Sequence, residues 1–173
     1  MQHTKLKTTN TIRGFPPLAS ASAKRLILGS MPSVASLEAA QYYAFPRNAF
    51  WHIMGDLFGA GPELDYLQRV ERLTAAGVAL WDVIATCRRP GSLDSAIESE
   101  GLRSNDFQAF FHQHPGIAHV YFNGQKASSL FRKRVLPGLD ANVVLHTLPS
   151  TSPANAGLNY AAKLEAWSVV KSA

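Results

Sequence analysis

The chain has 173 residues and a formal charge of +5, with 46 % hydrophobic and 17 % charged residues. That length suits one domain with a substantial core, and the composition excludes disorder as the state of its body. No apolar run approaches the roughly 20 residues of a membrane span. The basic stretch from Met1 to Thr11 lacks the apolar segment of a secretory signal, so an intracellular protein is expected. Cys87 is the only cysteine, which excludes disulfide scaffolding and cysteine-ligated zinc or iron–sulfur sites within one chain; it reads as an incidental buried thiol rather than a nucleophile. The basic balance is compatible with nucleic acid. Arg88-Arg89 and Arg132-Lys133-Arg134 fit phosphate contacts and solvated loop or helix ends about equally well.

In chain order, residues 1–14 read as a polar, mobile tail and 15–173 as a single domain. Arg25–Gly29 is the first short apolar run with strand character, and it breaks into Ser30-Met31-Pro32-Ser33. Phe50, Ile53, Met54, Leu57 and Phe58 fall on one helical face. A second helix covers Leu64 to Ala75 and stops before Gly77. The next strand is read over Val78–Ile84. Ser104 or Asn105 caps a helix carrying Phe107, Phe110 and Phe111, ended by Pro115-Gly116. His119–Asn123 is the third strand, Gln125 to Val135 a helix stopped by Pro137-Gly138, and Asn142–Leu148 the fourth strand. The last helix runs from about Leu158 to Val170, with Tyr160, Leu164 and Trp167 on one face. Strands alternating with helices imply parallel pairing, hence an α/β fold with three layers and a central four-stranded sheet.

The first and last strands both end in Pro/Ser loops, Gly29-Ser30-Met31-Pro32-Ser33 and Leu148-Pro149-Ser150-Thr151-Ser152-Pro153. Loops at the carboxyl ends of parallel strands form the ligand crevice of such sheets, so the two are expected to close on one ligand. Between them lies Tyr42-Tyr43-Ala44-Phe45-Pro46-Arg47-Asn48-Ala49-Phe50-Trp51. Its tyrosines sit in a loop rather than on a periodic face, where flat rings suit stacking on a planar ligand, although core packing accounts for them as well. Asn48 stands just ahead of the helix at Phe50, where asparagine serves as an N-cap. His112-x-His114 has no companions at metal-ligand spacing, and His146 reads as a structural histidine that could reach the site.

These three ordered segments resemble the uracil-DNA glycosylase superfamily, most closely its hypoxanthine-DNA glycosylase branch. The likeness extends from about Phe15 to Trp167. The mismatch-specific branch carries a comparable Gly-Pro-x-Asn-x-Phe-Trp segment, similar to Pro46–Trp51. The resemblance implies a monofunctional enzyme of base excision repair that flips a deaminated base out of DNA and hydrolyses its bond to the sugar. It implies no metal and no cofactor, a DNA partner, single- or double-stranded, carrying the deaminated base, no membrane, and a monomer. Hypoxanthine is the expected base. Uracil or xanthine excision by the same architecture, and a non-catalytic DNA-binding module, are the alternatives.

In most branches the first loop supplies Asn or Asp to handle water; here Met31 stands there, and a thioether packs against a base without orienting water. By the resemblance the polar role passes to Asn48, which positions water rather than abstracting a proton. Tyr43 becomes the stacking platform, with Phe45 and Met31 beside the base. Asn123 is the candidate for reading a base edge, with capping of the following helix as its ordinary role. Ser150, Thr151 and Ser152, joined by Ser30 and Ser33, are expected to contact phosphates, with a plain Ser/Pro turn as the alternative. The segment Trp81 to Arg89 with Gly91–Ser95 also resembles the family and is expected near the pocket, without assigned atoms.

Overall fold

A computed structural model of the protein describes residues 10–172. Four strands carry the fold: β2 (Arg25–Gly29), β3 (Val78–Asp82), β6 (His119–Asn123) and β7 (Val144–Leu148), all parallel, in the order β3-β2-β6-β7. Side chains alternate across this sheet; β2, β3 and β6, covered on both faces, are apolar through their middles, whereas the edge strand β7 carries His146 and Thr147 and is partly exposed. Leu26, Leu28, Trp81, Val120 and Phe122 pack on one side against α4 (Phe107–Gln113) and α5 (Gln125–Arg134). Ile27, Leu80 and Tyr121 pack on the other against α2 (Phe50–Phe58), α3 (Tyr66–Ala75) and the C-terminal helices α6 (Tyr160–Trp167) and α7 (Val169–Ser172). The three-layer α/β/α architecture expected from the sequence is the one observed.

A second sheet was not anticipated. β1 (Thr11–Arg13), β4 (Ile84–Arg88) and β5 (Arg103–Ser104) form a small antiparallel sheet in the order β1-β4-β5. Thr11–Arg13 therefore belong to the folded body through pairing with Arg88–Thr86, while the rest of the expected tail up to position 9 lies outside the described residues. The strand read over Val78–Ile84 ends at Asp82 instead. The N–H groups of Val83 and Ile84 donate to the carbonyls of Gly29 and Ser30 at 2.9 and 3.1 Å, and this leads the chain out of the parallel sheet under the first loop into β4.

Helix boundaries follow side-chain caps. Asp106, not Ser104 or Asn105, caps α4 by accepting from Ala109 N–H, because Asn105 is engaged in donating its amide to the Asp82 carbonyl at 2.8 Å. α3 opens on a reciprocal capping box between Asp65 and Gln68. A short helix absent from the sequence reading, α1 (Val34–Ala39), follows the first loop and is capped by Ser33. The C-terminal helix breaks at Ser168 into α6 and α7. Among the described residues no helix is long and apolar enough to cross a membrane.

Candidate active site

From β2, the first strand of the parallel sheet, the chain passes to β3 on one side and later to β6 on the other, so the order reverses at β2. A ligand crevice is expected at such a switch point, beyond the carboxyl ends of the strands. A cavity of about 780 Å³ opens there. It takes Met31 from the loop after β2, Asp82 from the end of β3, Asn123 from the end of β6 and Thr151 from the loop after β7, with Tyr43 and Asn48 from the segment leading into α2. Every site residue named from the sequence, including Phe45, Ser30, Ser33, Ser150 and Ser152, lines this one cavity.

The aromatic segment is fixed from several directions. Tyr42 is buried, donates its hydroxyl to the Pro16 carbonyl at 2.8 Å and accepts at its own carbonyl from Trp51 Nε1–H at 2.8 Å. Ala44 N–H donates to Ser36 Oγ and Ala49 N–H to the Thr151 carbonyl, which ties the segment to the first helix and to the second loop. Tyr43, held by these bonds, has φ 54°, a left-handed conformation that costs a bulky residue energy and clusters at functional sites. One face of its ring stacks on Phe50, with centroids 4.0 Å apart. Phe45 is half-buried, and the Arg47 guanidinium lies over its ring at 5.5 Å.

Asn48 lines the cavity and bonds the start of α2. Its Oδ1 accepts from Phe50 N–H at 3.0 Å at the start of α2, although Ala49 occupies the N-cap position itself. That bond fixes the amide orientation, and Nδ2 has no partner among the described residues, on a half-buried side chain that lines the cavity. Met31 forms a buried part of the wall, 7 % exposed.

Asn123 does not cap α5; Gly124 holds that position without a side-chain bond. Instead its Nδ2–H donates to Thr151 Oγ1 and its Oδ1 accepts from Thr151 N–H, both at 2.9 Å. The amide joins the end of β6 to the second loop, and one N–H and one lone pair are left for a ligand. Thr151 is 1 % exposed and so faces Asn123 rather than solvent. Ser30 donates its hydroxyl to Asp94 and Ser33 donates to Ser36 Oγ, so neither keeps a free O–H for a phosphate. Ser150 and Ser152 act here as acceptors, from Ser152 N–H and Ala154 N–H, and their O–H groups remain available. Arg89, one of the basic doublet, is buried; its guanidinium donates to the Pro32 and Gly91 carbonyls at 2.6 and 2.7 Å, bracing the first loop. His146 does not line the cavity and stacks with Tyr121, its Nε2 3.0 Å from His119 Nδ1.

Asp82 was missed as an individual residue. It is 4 % exposed and lines the cavity, and its Oδ2 has no hydrogen-bond partner among the described residues. Burial, with Asp94 as the nearby negative charge, pushes its carboxyl up to about 7, against the opposing pull of Arg89. Burial and the same Asp82 hold the Tyr43 hydroxyl well above the ordinary tyrosine range. Gly29 is what lets both groups approach: a Cβ there would lie 2.5 Å from Asp82 Oδ1 and 2.9 Å from Tyr43 Oη. The signal in the sequence was a lone acid closing a fully apolar strand.

Comparison with known proteins shows the family to which this fold belongs. The profile described as Uracil DNA glycosylase superfamily matches residues 16–171. A protein named Hypoxanthine DNA glycosylase from Methanosarcina acetivorans is 35 % identical over 144 residues, covering 83 % of this chain and 87 % of its own. One of the same name from Methanosarcina barkeri is 35 % identical over 116 residues, covering 66 % of this chain and 72 % of its own. A solution NMR structure from Methanosarcina acetivorans, provisionally described as a uracil DNA glycosylase, superposes with a TM-score of 0.77 at 32 % identity, covering 94 % of this chain and 97 % of that one. With a profile match spanning nearly the whole chain and a crevice at the expected strand ends, the chain belongs to the uracil DNA glycosylase superfamily.

Proposed function

We propose that this protein is a monofunctional DNA glycosylase of base excision repair that removes hypoxanthine from deoxyinosine in DNA. The observation that carries the reading is the free Asn48 Nδ2–H group beside Tyr43 in a crevice large enough for a flipped purine nucleoside. Both named relatives, at 35 % identity, point to the same base.

In this reading the flipped base packs against Tyr43, whose ring is backed by Phe50, with Phe45 and Met31 completing an apolar surround. Asn48 holds a water by hydrogen bonding. The water oxygen adds to C1′ as the bond from C1′ to the base nitrogen breaks. The bonding pair leaves with the base, and the proton that the added water gives up balances the one the base takes up, giving free hypoxanthine and an abasic site. An amide is no base, so Asn48 positions the water and the oxocarbenium character of the sugar draws it in. No lysine lines the cavity among the described residues, which supports a reading without Schiff-base strand cleavage. The O–H groups of Ser150 and Ser152, with Arg47 at the rim, supply phosphate contacts.

The test is excision from matched duplexes carrying one deoxyinosine, deoxyuridine or deoxyxanthosine, with alkali revealing abasic sites. Preferential release of hypoxanthine is expected, and strand breaks appear only after alkali. Preference for uracil or xanthine transfers the reading to another lactam base on the same fold. Tight binding to inosine DNA with no abasic product marks a binding module instead.

A further inference from the structure

Asp82 ends β3 as the only acid among five buried residues, and nothing described so far uses its side chain. The groups facing it come from three directions: Asp94 from the turn of residues 94–96, Arg89 from the segment after β4, and Tyr42 and Tyr43 from the loop ahead of α2. Arg89 is engaged with two backbone carbonyls and Asp94 accepts from Ser30, so neither pairs with Asp82 in a salt bridge or hydrogen bond. Asn123, the other polar side chain at a strand end in the cavity, is engaged by Thr151. A buried carboxyl oxygen without a partner costs free energy. Here its residue, Asp82, lines the cavity proposed to receive the base.

A neutral carboxyl carries one O–H donor and one carbonyl acceptor, whereas a carboxylate only accepts. A lactam edge, carbonyl beside ring N–H, is complementary to the neutral form and repels the charged one. We infer that Asp82 contacts the flipped base and that its protonated form alone supports excision, donating its O–H to the base while accepting from the ring N–H. This rests on the glycosylase reading above. As the bond to the sugar breaks, negative charge grows on the base. The donated hydrogen bond strengthens with it, while an ionised Asp82 opposes it. Burial and Asp94 are what keep the neutral form present near neutrality.

The experiment is single-turnover excision from a deoxyinosine duplex across the range from about pH 5.5 to about pH 9, for the unaltered protein, Asp82→Asn and Asp82→Leu. The unaltered protein is expected to lose rate about tenfold per pH unit above about 7, reaching roughly 100-fold at the alkaline end. Asp82→Asn keeps a donor and an acceptor and cannot ionise, so its profile has no such limb. Asp82→Leu loses at least about 100-fold at every pH. A flat profile in the unaltered protein, with excision intact, overturns the role of Asp82 and leaves the glycosylase reading standing. A limb kept by Asp82→Asn belongs to the ring N–H of the base itself and overturns it too. Absence of excision at every pH overturns both readings together. If the Asn variant does not fold, a carbon-13 titration of the Asp82 carboxyl decides. Titration with the same midpoint as the rate supports the inference, and a midpoint below about 5 overturns it.

Discussion

Replacing Asn123 by alanine removes both hydrogen bonds between the end of β6 and the loop after β7, in a place with almost no access to water. Each bond contributes a net ~1 kcal/mol, and the stranded Thr151 N–H, a buried donor left unsatisfied, adds ~1–3 kcal/mol. Asn123→Ala is therefore expected to destabilise the protein by roughly 3–5 kcal/mol, a fall in Tm of roughly 6–20 °C for a chain of this size. Urea unfolding measures the loss. Thr151→Val removes only the side-chain bond, and a double-mutant cycle between the two positions should return a coupling of about 1 kcal/mol. Excision falls as well, because Thr151 also holds Ala49 and with it the position of Asn48. A pure base reader behaves otherwise: Asn123→Ala with less than about 1 kcal/mol of destabilisation and complete loss of excision refutes the clamp.

The remaining expectations concern the same crevice. Asn48→Ala is expected to lose at least about 100-fold in single-turnover excision while costing only about 1 kcal/mol for the bond to Phe50 N–H; excision like that of the unaltered protein sinks its role. Gly29→Ala forces atoms apart at Asp82 and Tyr43, both packed in the interior, and is expected to cost about 1–3 kcal/mol in urea unfolding and to disturb excision; a change under about 0.5 kcal/mol contradicts the close approach. Asp82 has an ordinary value of 3.8 and is raised to about 7 in the fold, so the folded state holds its proton more tightly than the unfolded chain. Its share of stability is whole below the lower value and falls as pH rises to the upper one. Relative to Asp82→Asn, the unaltered protein should thus lose up to about 4 kcal/mol between about pH 4 and pH 8, and equal stability of the two across that range contradicts the burial. Affinity for DNA should fall steeply with added salt, as counterion release at phosphates requires; fluorescence anisotropy independent of salt argues against nucleic acid.

Three of the parallel strands were legible because they are apolar on both faces, the edge strand β7 because its β-branched and apolar run stops at Pro149, and the site loops because Pro and Ser follow such runs at the carboxyl ends. What escaped depends on neighbours in space. Val83 and Ile84 continue an apolar run, and only their bonds to Gly29 and Ser30 reveal that the chain changes sheet there. Thr11–Arg13 is too short to show a period and owes its strand to pairing with β4. Asn123 looked like a cap or a reader because its partner Thr151 is remote in sequence. Arg89 looked like a surface charge until the Pro32 and Gly91 carbonyls were found around it.

The roles assigned in the crevice follow from which polar groups are already occupied. Ser30, Ser33, Asn123, Thr151 and Arg89 each have their side chains directed at protein partners, and those bonds hold the loops of β2, β6 and β7 together before any DNA arrives. Such bonds cannot be remade for a substrate without loosening the crevice, so they preorganise it, while the Asn123 amide keeps one N–H and one lone pair beyond them. Buried polar atoms without a partner occur elsewhere, at His114 and Tyr121 for instance, and being unpartnered is not by itself a mark of function. Among the atoms so left, only Tyr43 Oη and Asp82 Oδ2 belong to residues lining the cavity. Together with the Asn48 amide they form a set with one unpartnered amide donor, one aromatic surface with a buried hydroxyl, and one acid able to donate or accept. In the proposed hydrolysis at C1′ these would hold the water, pack against the base and bond its lactam edge, and of the three only the acid makes the rate depend on pH near neutrality.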